Sequence, residues 1–309
     1  MSSNAHVPVL LGPVLEGLNL KQDGLYVDGT FGRGGHSSAI LAALNTEGRL
    51  IAIDRDPQAI VSAAPALTND PRLTLIRSDY AELATHIDER GLTGRVNGLL
   101  LDLGVSSPQL DEAGRGFSFL RNGPLDMRMD PNSGISAAEF LRTVEKKNLT
   151  RLLRMYGDEP QAAHIASAVV ASRETAAIET TKQLADIVAS VVPAHMRKKH
   201  PATKTFQAIR IFINNELEQL EAALAQSIDL LAKGGRLCVI SFHSLEDRMV
   251  KRFIRDASRE TEQYRGMPNV PEEFQPKLKP IGRGIVATAD EIAANVRARS
   301  ARLRTAERR

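Results

Sequence analysis

Four short stretches of this sequence place an acidic side chain at the end of a run of β-forming, largely apolar residues. Asp28 closes Leu25-Tyr26-Val27, Asp54 closes Arg49–Ile53, Asp79 follows Leu73–Arg77 and Asp102 follows Asn97–Leu101. In an open parallel α/β sheet such acids face one crevice, because ligands bind beyond the carboxyl ends of the strands. The first acid opens a glycine-rich turn, Asp28-Gly29-Thr30-Phe31-Gly32-Arg33-Gly34-Gly35-His36-Ser37, where a ligand can approach the backbone closely. A carboxylate on that turn repels a pyrophosphate and suits a cationic ligand. Asp54 is placed to accept hydrogen bonds from ribose hydroxyls. Asp79-Tyr80 offers an acceptor for an adenine amine and a ring to cover the base. The same turn also reads as a tight strand–helix connection with no ligand at all.

The turn resembles the D-x-G-x-G-x-G pattern of S-adenosylmethionine (SAM) methyltransferases, with Thr30 standing where the first Gly of that pattern would be. A cationic ligand with a ribose and an adenine fits SAM better than NAD. The fourth acid begins Asp102-Leu103-Gly104-Val105-Ser106-Ser107-Pro108-Gln109, the kind of short polar cluster that methylation of an exocyclic amine needs. Such an amine needs acceptors for its hydrogens and an orientation that aims its lone pair at the methyl carbon. A strong base is unnecessary, since the nitrogen becomes acidic only as the new bond forms. Asp102 can supply the acceptor, with Ser106, Ser107 and Gln109 positioning. Spacing alone equally allows Asp102 to cap a turn.

Strand and helix alternate through this first part, with a helix expected over Ser37–Leu44 and another from Pro57, a favoured first helical position. Four such alternations imply a doubly wound, mostly parallel sheet. From Gln109 to Pro201 nothing reads as a strand. Helical patterns instead cover Ala137–Val144, Leu149–Met155, Ala162–Ala171 and Thr181–Val191. An apolar stripe from Phe206 to Leu231 predicts one long helix, stopped by Gly234-Gly235. The sheet resumes at Arg236–Phe242, a helix is expected over Leu245–Arg255, and Ile285–Thr288 reads as a last strand. The expected fold is therefore α/β, with an all-helical subdomain inserted in a doubly wound core. The core is expected over residues 1–109 and 204–309, and the insertion over 110–203.

Composition narrows the class. The chain has 309 residues, 42% of them hydrophobic and 25% charged, the balance of an ordinary globular protein. Its one cysteine, Cys238, excludes an internal disulfide framework and a cysteine-based zinc site. No run approaches the ~18 apolar residues of a membrane helix, and no signal peptide is visible. A soluble, cytoplasmic protein with no metal and no membrane partner is expected. The net charge of +3 hides two basic clusters. Arg197, Lys198, Lys199, Lys204 and Arg210 form one, and six arginines against one glutamate in Asn295–Arg309 form the other. That distribution fits a polyanion partner, although charge runs are often merely solvated and basic ends often disordered. With no tryptophan, Phe242 is the first candidate to stack on an extruded base; it reads equally well as core. Ser244 followed by Asp247 reads as a helix N-cap.

Several blocks together resemble the MraW (RsmH) family of bacterial 16S rRNA cytosine-N4 methyltransferases. They are DGTFGRGGHS at Asp28–Ser37, DLGVSSPQL at Asp102–Leu110, RGFSF at Arg115–Phe119, GPLDMRMD at Gly123–Asp130, HPATKTFQAIRI at His200–Ile211, SFHSLEDR at Ser241–Arg248 and RARSARLR at Arg297–Arg304. The resemblance implies a Rossmann-like SAM methyltransferase core with an inserted helical domain, and N4 methylation of a decoding-centre cytidine. It implies SAM contacts at Gly34, Gly35, His36, Asp54, Tyr80, Asp102 and Gln109, with Asp28 added by its place on the turn and Asp102 as the catalytic group. Expected RNA contacts are Lys198, Lys199, Lys204, Arg210, Phe242, Arg297 and Arg299. The expected partner is 16S rRNA within the small ribosomal subunit, with a homodimer as the candidate assembly. The family's tail often reads Asn-Pro-Arg where this chain has Asn295-Val296-Arg297. Two other readings compete: a DNA amino-methyltransferase, whose Asp/Asn/Ser-Pro-Pro-aromatic signature is absent, and an assembly factor that binds SAM only structurally.

Overall fold

A computed structural model describes residues 8–193, 200–260, 262–264 and 271–309. These fall into two compact units, one made of the described residues up to Gly104 together with Glu218–Arg309, the other of Val105–Leu217. The second therefore takes in residues on both sides of the expected 110–203 segment.

The first unit is built on a seven-stranded sheet of β1 (Leu25–Asp28), β2 (Arg49–Asp54), β3 (Leu73–Arg77), β4 (Val96–Asp102), β5 (Leu231–Ser241), β6 (Leu278–Val286) and β7 (Arg302–Arg308), in the spatial order β3-β2-β1-β4-β5-β7-β6. The first five strands are parallel, and β7 runs antiparallel to both neighbours. Parallel strands covered on both faces need apolar side chains pointing both ways, which the unbroken Leu99-Leu100-Leu101 of β4 supplies. Leu99 and Leu101 join Val27, Ile53 and Val239 beneath Leu224 and Val250. Leu100 joins Tyr26, Ala52 and Ile240 on the opposite face, against Leu18 and Ile40. The register sets Asp28 beside Leu100 and Asp102 beside Ile240, so the acids of β1 and β4 end at one rim of the sheet.

The sequence reading missed β7. Arg302–Arg308 alternates charged with smaller or apolar residues, and the arginines disguise a strand whose Leu303 and Ala306 are buried on opposite faces. The last strand read from sequence, Ile285–Thr288, overlaps β6 only at Ile285 and Val286; Thr288 instead caps the helix Ala289–Ala294.

The second unit is helical. Its helices are Ser107–Asp111, Ala137–Thr143, Lys146–Gly157, Ala162–Thr175, Thr181–Val191 and Thr203–Ile213. Ser106 with Gln109, Ser136 with Glu139 and Thr180 with Gln183 close capping boxes at three of their N-termini. Gly157 lets Lys146–Gly157 press against Thr203–Ile213, since a Cβ there would lie 2.8 Å from the Lys204 carbonyl oxygen. The predicted long helix is two, Thr203–Ile213 and Glu216–Leu230. The break falls at Asn214 and Asn215, which keep the apolar spacing but not the helix. Asn215 takes a left-handed φ of 50°. Buried Asn214 accepts from the Met129 N–H at 2.7 Å and donates to the Met127 carbonyl at 2.8 Å. Its side chain satisfies a loop backbone that would otherwise be buried unpaired.

If β7 is a central sheet strand, Leu303→Ala removes buried volume on one face. It should lower stability by about 2–5 kcal/mol, read as a depressed denaturant midpoint. An unchanged midpoint would mean a segment that does not pack.

Candidate functional site

The glycine turn is held together by its own polar side chains. Asp28, only 1% exposed, accepts from the Thr30 N–H at 3.1 Å and hydroxyl at 3.4 Å with one oxygen, and from the Ser37 hydroxyl at 2.7 Å with the other. The Thr30 hydroxyl in turn accepts the Asp102 N–H at 2.7 Å. A glycine at position 30 could make neither side-chain bond. The departure from the glycine pattern is thus a bridge between the turn and the end of β4. Gly34 carries φ +73°, and a Cβ on it would sit 2.5 Å from Leu67 Cδ1, so a side chain there would be strained by its backbone. It is the N-cap of the helix Gly35–Ala43.

Asp54 uses both oxygens on backbone, accepting from the N–H of Gly32 at 2.7 Å and of Asp56 at 2.8 Å. It therefore fixes the turn from the β2 side while its remaining lone pairs stay open to a diol. Burial pushes its pKa up to about 6, against the pull of those two N–H groups. Asp79 is paired with the Arg55 guanidinium at 2.9 Å, and Tyr80 begins a 3₁₀ turn (Tyr80–Glu82) beside Gly29.

Asp102 ends β4 half-buried. Its Oδ2 lies 3.6 Å from His36 Nδ1, while Oδ1 is buried with no hydrogen-bond partner among the described residues. His36 Nε2 lies 3.0 Å from the Val9 carbonyl oxygen; a carbonyl only accepts, so that nitrogen carries the hydrogen. Burial pushes the Asp102 pKa up to about 6; His36 opposes the rise, and the charges of Asp28 and Glu246 add to it. Burial also raises Asp28. The charges of Asp28 and Glu246 thus both act on Asp102, an effect that a cationic ligand or a hydrogen-bond donor relieves.

Glu246 was not singled out in the sequence. The helix Ser244–Ala257 is capped by His243, not Ser244. Glu246 Oε2 accepts from the N–H of Phe242 at 2.7 Å and of His243 at 3.2 Å. The signal was a capping box in the adjacent frame, His243 with Glu246, masked by the commoner N-cap residue beside it. Asp247, freed from that role, binds Arg304 at 2.7 Å and 3.1 Å. Phe242 is half-buried, packed on the core of the face that holds Leu303 and Ile240.

The other expected residues are placed as follows. Gln109, buried in the helical unit, accepts the Ser106 N–H at 2.9 Å. Lys204 donates to the Asp158 carbonyl at 2.7 Å, at the left-handed end of Lys146–Gly157. Arg210 makes a two-pronged pair with buried Glu216, both contacts 2.7 Å, so its charge is balanced within its own unit. Lys198 and Lys199 lie outside the described residues. Arg297 and Arg299 lie on a 3₁₀ turn, Val296–Ser300, before β7. Asn295 caps that turn, accepting the Arg297 N–H at 3.1 Å, while Val296 is 69% exposed. The missing proline therefore costs no local contact.

A parallel sheet with an antiparallel strand between β5 and β6, and acids around a glycine turn at its rim, defines a Rossmann-like, SAM-dependent methyltransferase. Residues 3–309 match the MraW methylase family, and the chain belongs to that family. Among its relatives, Ribosomal RNA small subunit methyltransferase H of Nitrosococcus oceani is 53% identical over 306 residues, covering 99% of this chain and 97% of the relative. The protein of the same name from Shewanella amazonensis is 52% identical over 98% of this chain and 97% of its own length. A crystal structure of an rRNA methylase from Streptococcus thermophilus is a more distant likeness, with 11% identity and a TM-score of 0.43 over 98% of this chain and 99% of that one.

Two outcomes test this geometry. Thr30→Val keeps the side-chain shape but strands the Asp102 N–H, so stability should fall by about 1–3 kcal/mol and Thr30→Ser should recover most of it, both read by denaturant unfolding. Asp102→Asn tests the raised pKa. The folded wild type holds this proton up to pH about 6, whereas the unfolded chain releases it near pH ~4. The folded state binds more protons in that window, so the contribution of Asp102 to stability falls as pH rises through it. The melting temperature of Asp102→Asn should therefore gain on wild type between pH 4 and about 6 and hold its gain above. A constant gap would mean an ordinary carboxylate.

Proposed function

We propose that this chain transfers the methyl group of SAM to the N4 amine of a decoding-centre cytidine in 16S rRNA, by direct in-line displacement. The observation that carries this reading is Asp102, a carboxylate at the end of β4 with one buried oxygen unpartnered among the described residues and two further acids close enough to raise its pKa. The names of relatives about half identical along nearly the whole chain support ribosomal RNA as the substrate.

The residues present fit SAM. An orphaned acceptor beside buried carboxylates suits a donor-bearing cation, and the left-handed Gly34 opens a helix whose first N–H groups are free to meet a carboxylate. When bound, SAM supplies an electrophilic methyl on a positively charged sulfur. Gly34, Gly35 and His36 would hold its amino-acid end and Asp54 its ribose, with Tyr80 covering the adenine. Asp28, with both oxygens occupied by the turn, acts through its charge. Asp102 accepts one amine hydrogen of the cytosine and so aims the nitrogen lone pair. As the N–C bond forms, the nitrogen turns acidic and its proton leaves toward this carboxylate. No stronger base is required.

Arg297 and Arg299, with Lys198 and Lys199, attract phosphates, and Phe242 meets the extruded base. Lys204 and Arg210, tied to a carbonyl and a carboxylate, contribute chiefly through the fold. Acting on ribosomal RNA places the enzyme in the cytoplasm.

The test is methyl transfer from labelled SAM to small subunits, free 16S rRNA and DNA, with nucleoside analysis of the product. Labelled N4-methylcytidine in rRNA is expected; label only in DNA, or in no acceptor, sinks the proposal. Asp102→Ala should cut turnover at least a hundredfold, a loss typical of a group acting in the transition state, while RNA affinity stays within a factor of a few. Equal losses in both would make Asp102 a scaffold residue.

A further inference from the structure

A cavity of about 280 Å³ lies along the outer part of the sheet, between the second half of the helix Ser244–Ala257 and the β6–β7 pair. Its lining includes Lys251, Arg255, Arg259, Arg283 and Arg304, and no acidic residue. Its floor is apolar, made by buried Ile254 and half-buried Ile281. These cations come from separate segments. Lys251, Arg255 and Arg259 recur every four residues, one face of a helix and its exit, whereas Arg283 and Arg304 come from two strands.

Two of the five are already neutralised. Arg255 pairs with Asp256 at 2.7 Å, and Arg304 pairs with Asp247. Lys251, Arg259 and Arg283 have no carboxylate within ion-pair distance among the described residues, and all three are exposed. Dipole stabilisation at a helix C-terminus accounts for Arg259, but not for Lys251 in mid-helix or Arg283 on a strand. Arg283 stands on an interruption of the ladder. Ile281 pairs with Thr305 and Ile285 with Leu303, so Gly282, Arg283 and Gly284 together face Arg304 alone. Gly282 takes φ +65°. This bulge lifts Arg283 out of the sheet and gives the cavity its rim. Bulges of this kind re-aim side chains and are retained for it.

We propose that this cavity binds the sugar–phosphate backbone of the RNA substrate, a second contact apart from the methyl-transfer centre. Lys251, Arg259 and Arg283 meet phosphate oxygens, and the apolar floor lies under a ribose or base. Ser244 follows the rim of the sheet at β5, and the helix from there to Ala257 runs about 20 Å. The bound phosphates therefore belong to RNA several nucleotides from the target, or to a neighbouring strand of the folded rRNA. The inference rests on the rRNA reading above.

The experiment measures equilibrium binding of the full-length protein to a 16S rRNA fragment carrying the decoding centre, across a salt series, with methyl transfer assayed on the same RNA. The variant is Lys251→Ala/Arg259→Ala/Arg283→Ala, and a control, Lys251→Arg/Arg259→Lys/Arg283→Lys, keeps the charge. SAM affinity, measured alongside, reports an intact fold. The alanine variant should bind SAM as wild type does, lose about tenfold or more in RNA affinity, and show a salt slope shallower by about 2, as the loss of up to three phosphate contacts requires. The control should stay within a factor of about three of wild type. If wild type binds and methylates the RNA but the alanine variant keeps its affinity and slope, the cavity is not an RNA site and the rRNA reading stands. A control as weak as the alanine variant would equally overturn the proposal, because packing rather than charge would then be responsible. If wild type neither binds nor methylates the RNA, the rRNA reading fails and takes this one with it.

Discussion

One short hydrogen-bonded chain holds the working end of the sheet together: the Asp102 N–H to the Thr30 hydroxyl, and that hydroxyl to Asp28. It joins the turn after β1 to the end of β4, two places separated by 72 residues of sequence. Backbone pairing stops where the strands diverge toward the crevice, so side chains must take over the joining. Ser37 closes the chain from the helix side and Asp54 from β2. Every oxygen of Asp28 and Asp54 is bonded to the protein. Asp102 alone keeps an oxygen unspent among these three, which is the asymmetry the proposed methyl transfer draws on.

The same accounting revises the meaning of charge in this chain. A net +3 over 309 residues is made of local cancellations and local excesses. Arg304 against Asp247, Arg210 against Glu216, Arg236 against Glu307 and Arg55 against Asp79 are pairs that fasten elements to one another. The excesses are acids at the rim of the sheet and bases on its outer flank. Two ligands of opposite charge can then be held by one domain without either field erasing the other, because at physiological salt such fields fade within about 8 Å.

What the sequence revealed follows from how strongly each element depends on a simple pattern. β1, β2, β4 and β5 are buried on both faces, and their apolar runs could be read directly; β3, at the sheet's edge and only partly covered, was still legible from its Leu-Thr-Leu-Ile run. The acids at their ends followed from the geometry of parallel sheets. β7 escaped because its arginines reach outward to Asp247 and to carbonyls, leaving only small or isolated apolar residues to mark a strand. The helix break at Asn214 was invisible because the apolar stripe continues across it; the cause is a distant loop, Met127–Met129, that needs the Asn214 amide. His243 was overlooked as a cap because a serine, a better cap by type, stands next to it. For β7 and for Asn214 a tertiary partner, which no local pattern encodes, overrode a local preference; at His243 one local cap merely outcompeted another.

The position of β7 also bears on how the chain is assembled in time. β7 lies between β5 and β6, yet the ribosome makes it after both. Until Leu303 and Ala306 emerge, β6 has no neighbour to pair with and one edge of β5 stays bare. The parallel half of the sheet can form while synthesis continues, but the last strand must slot into a gap already bounded on one side. An exposed strand edge during that wait is a template for pairing with other chains. The arginines of β7 thus have a kinetic consequence as well: like charges on a late strand discourage it from pairing with copies of itself before its place is ready.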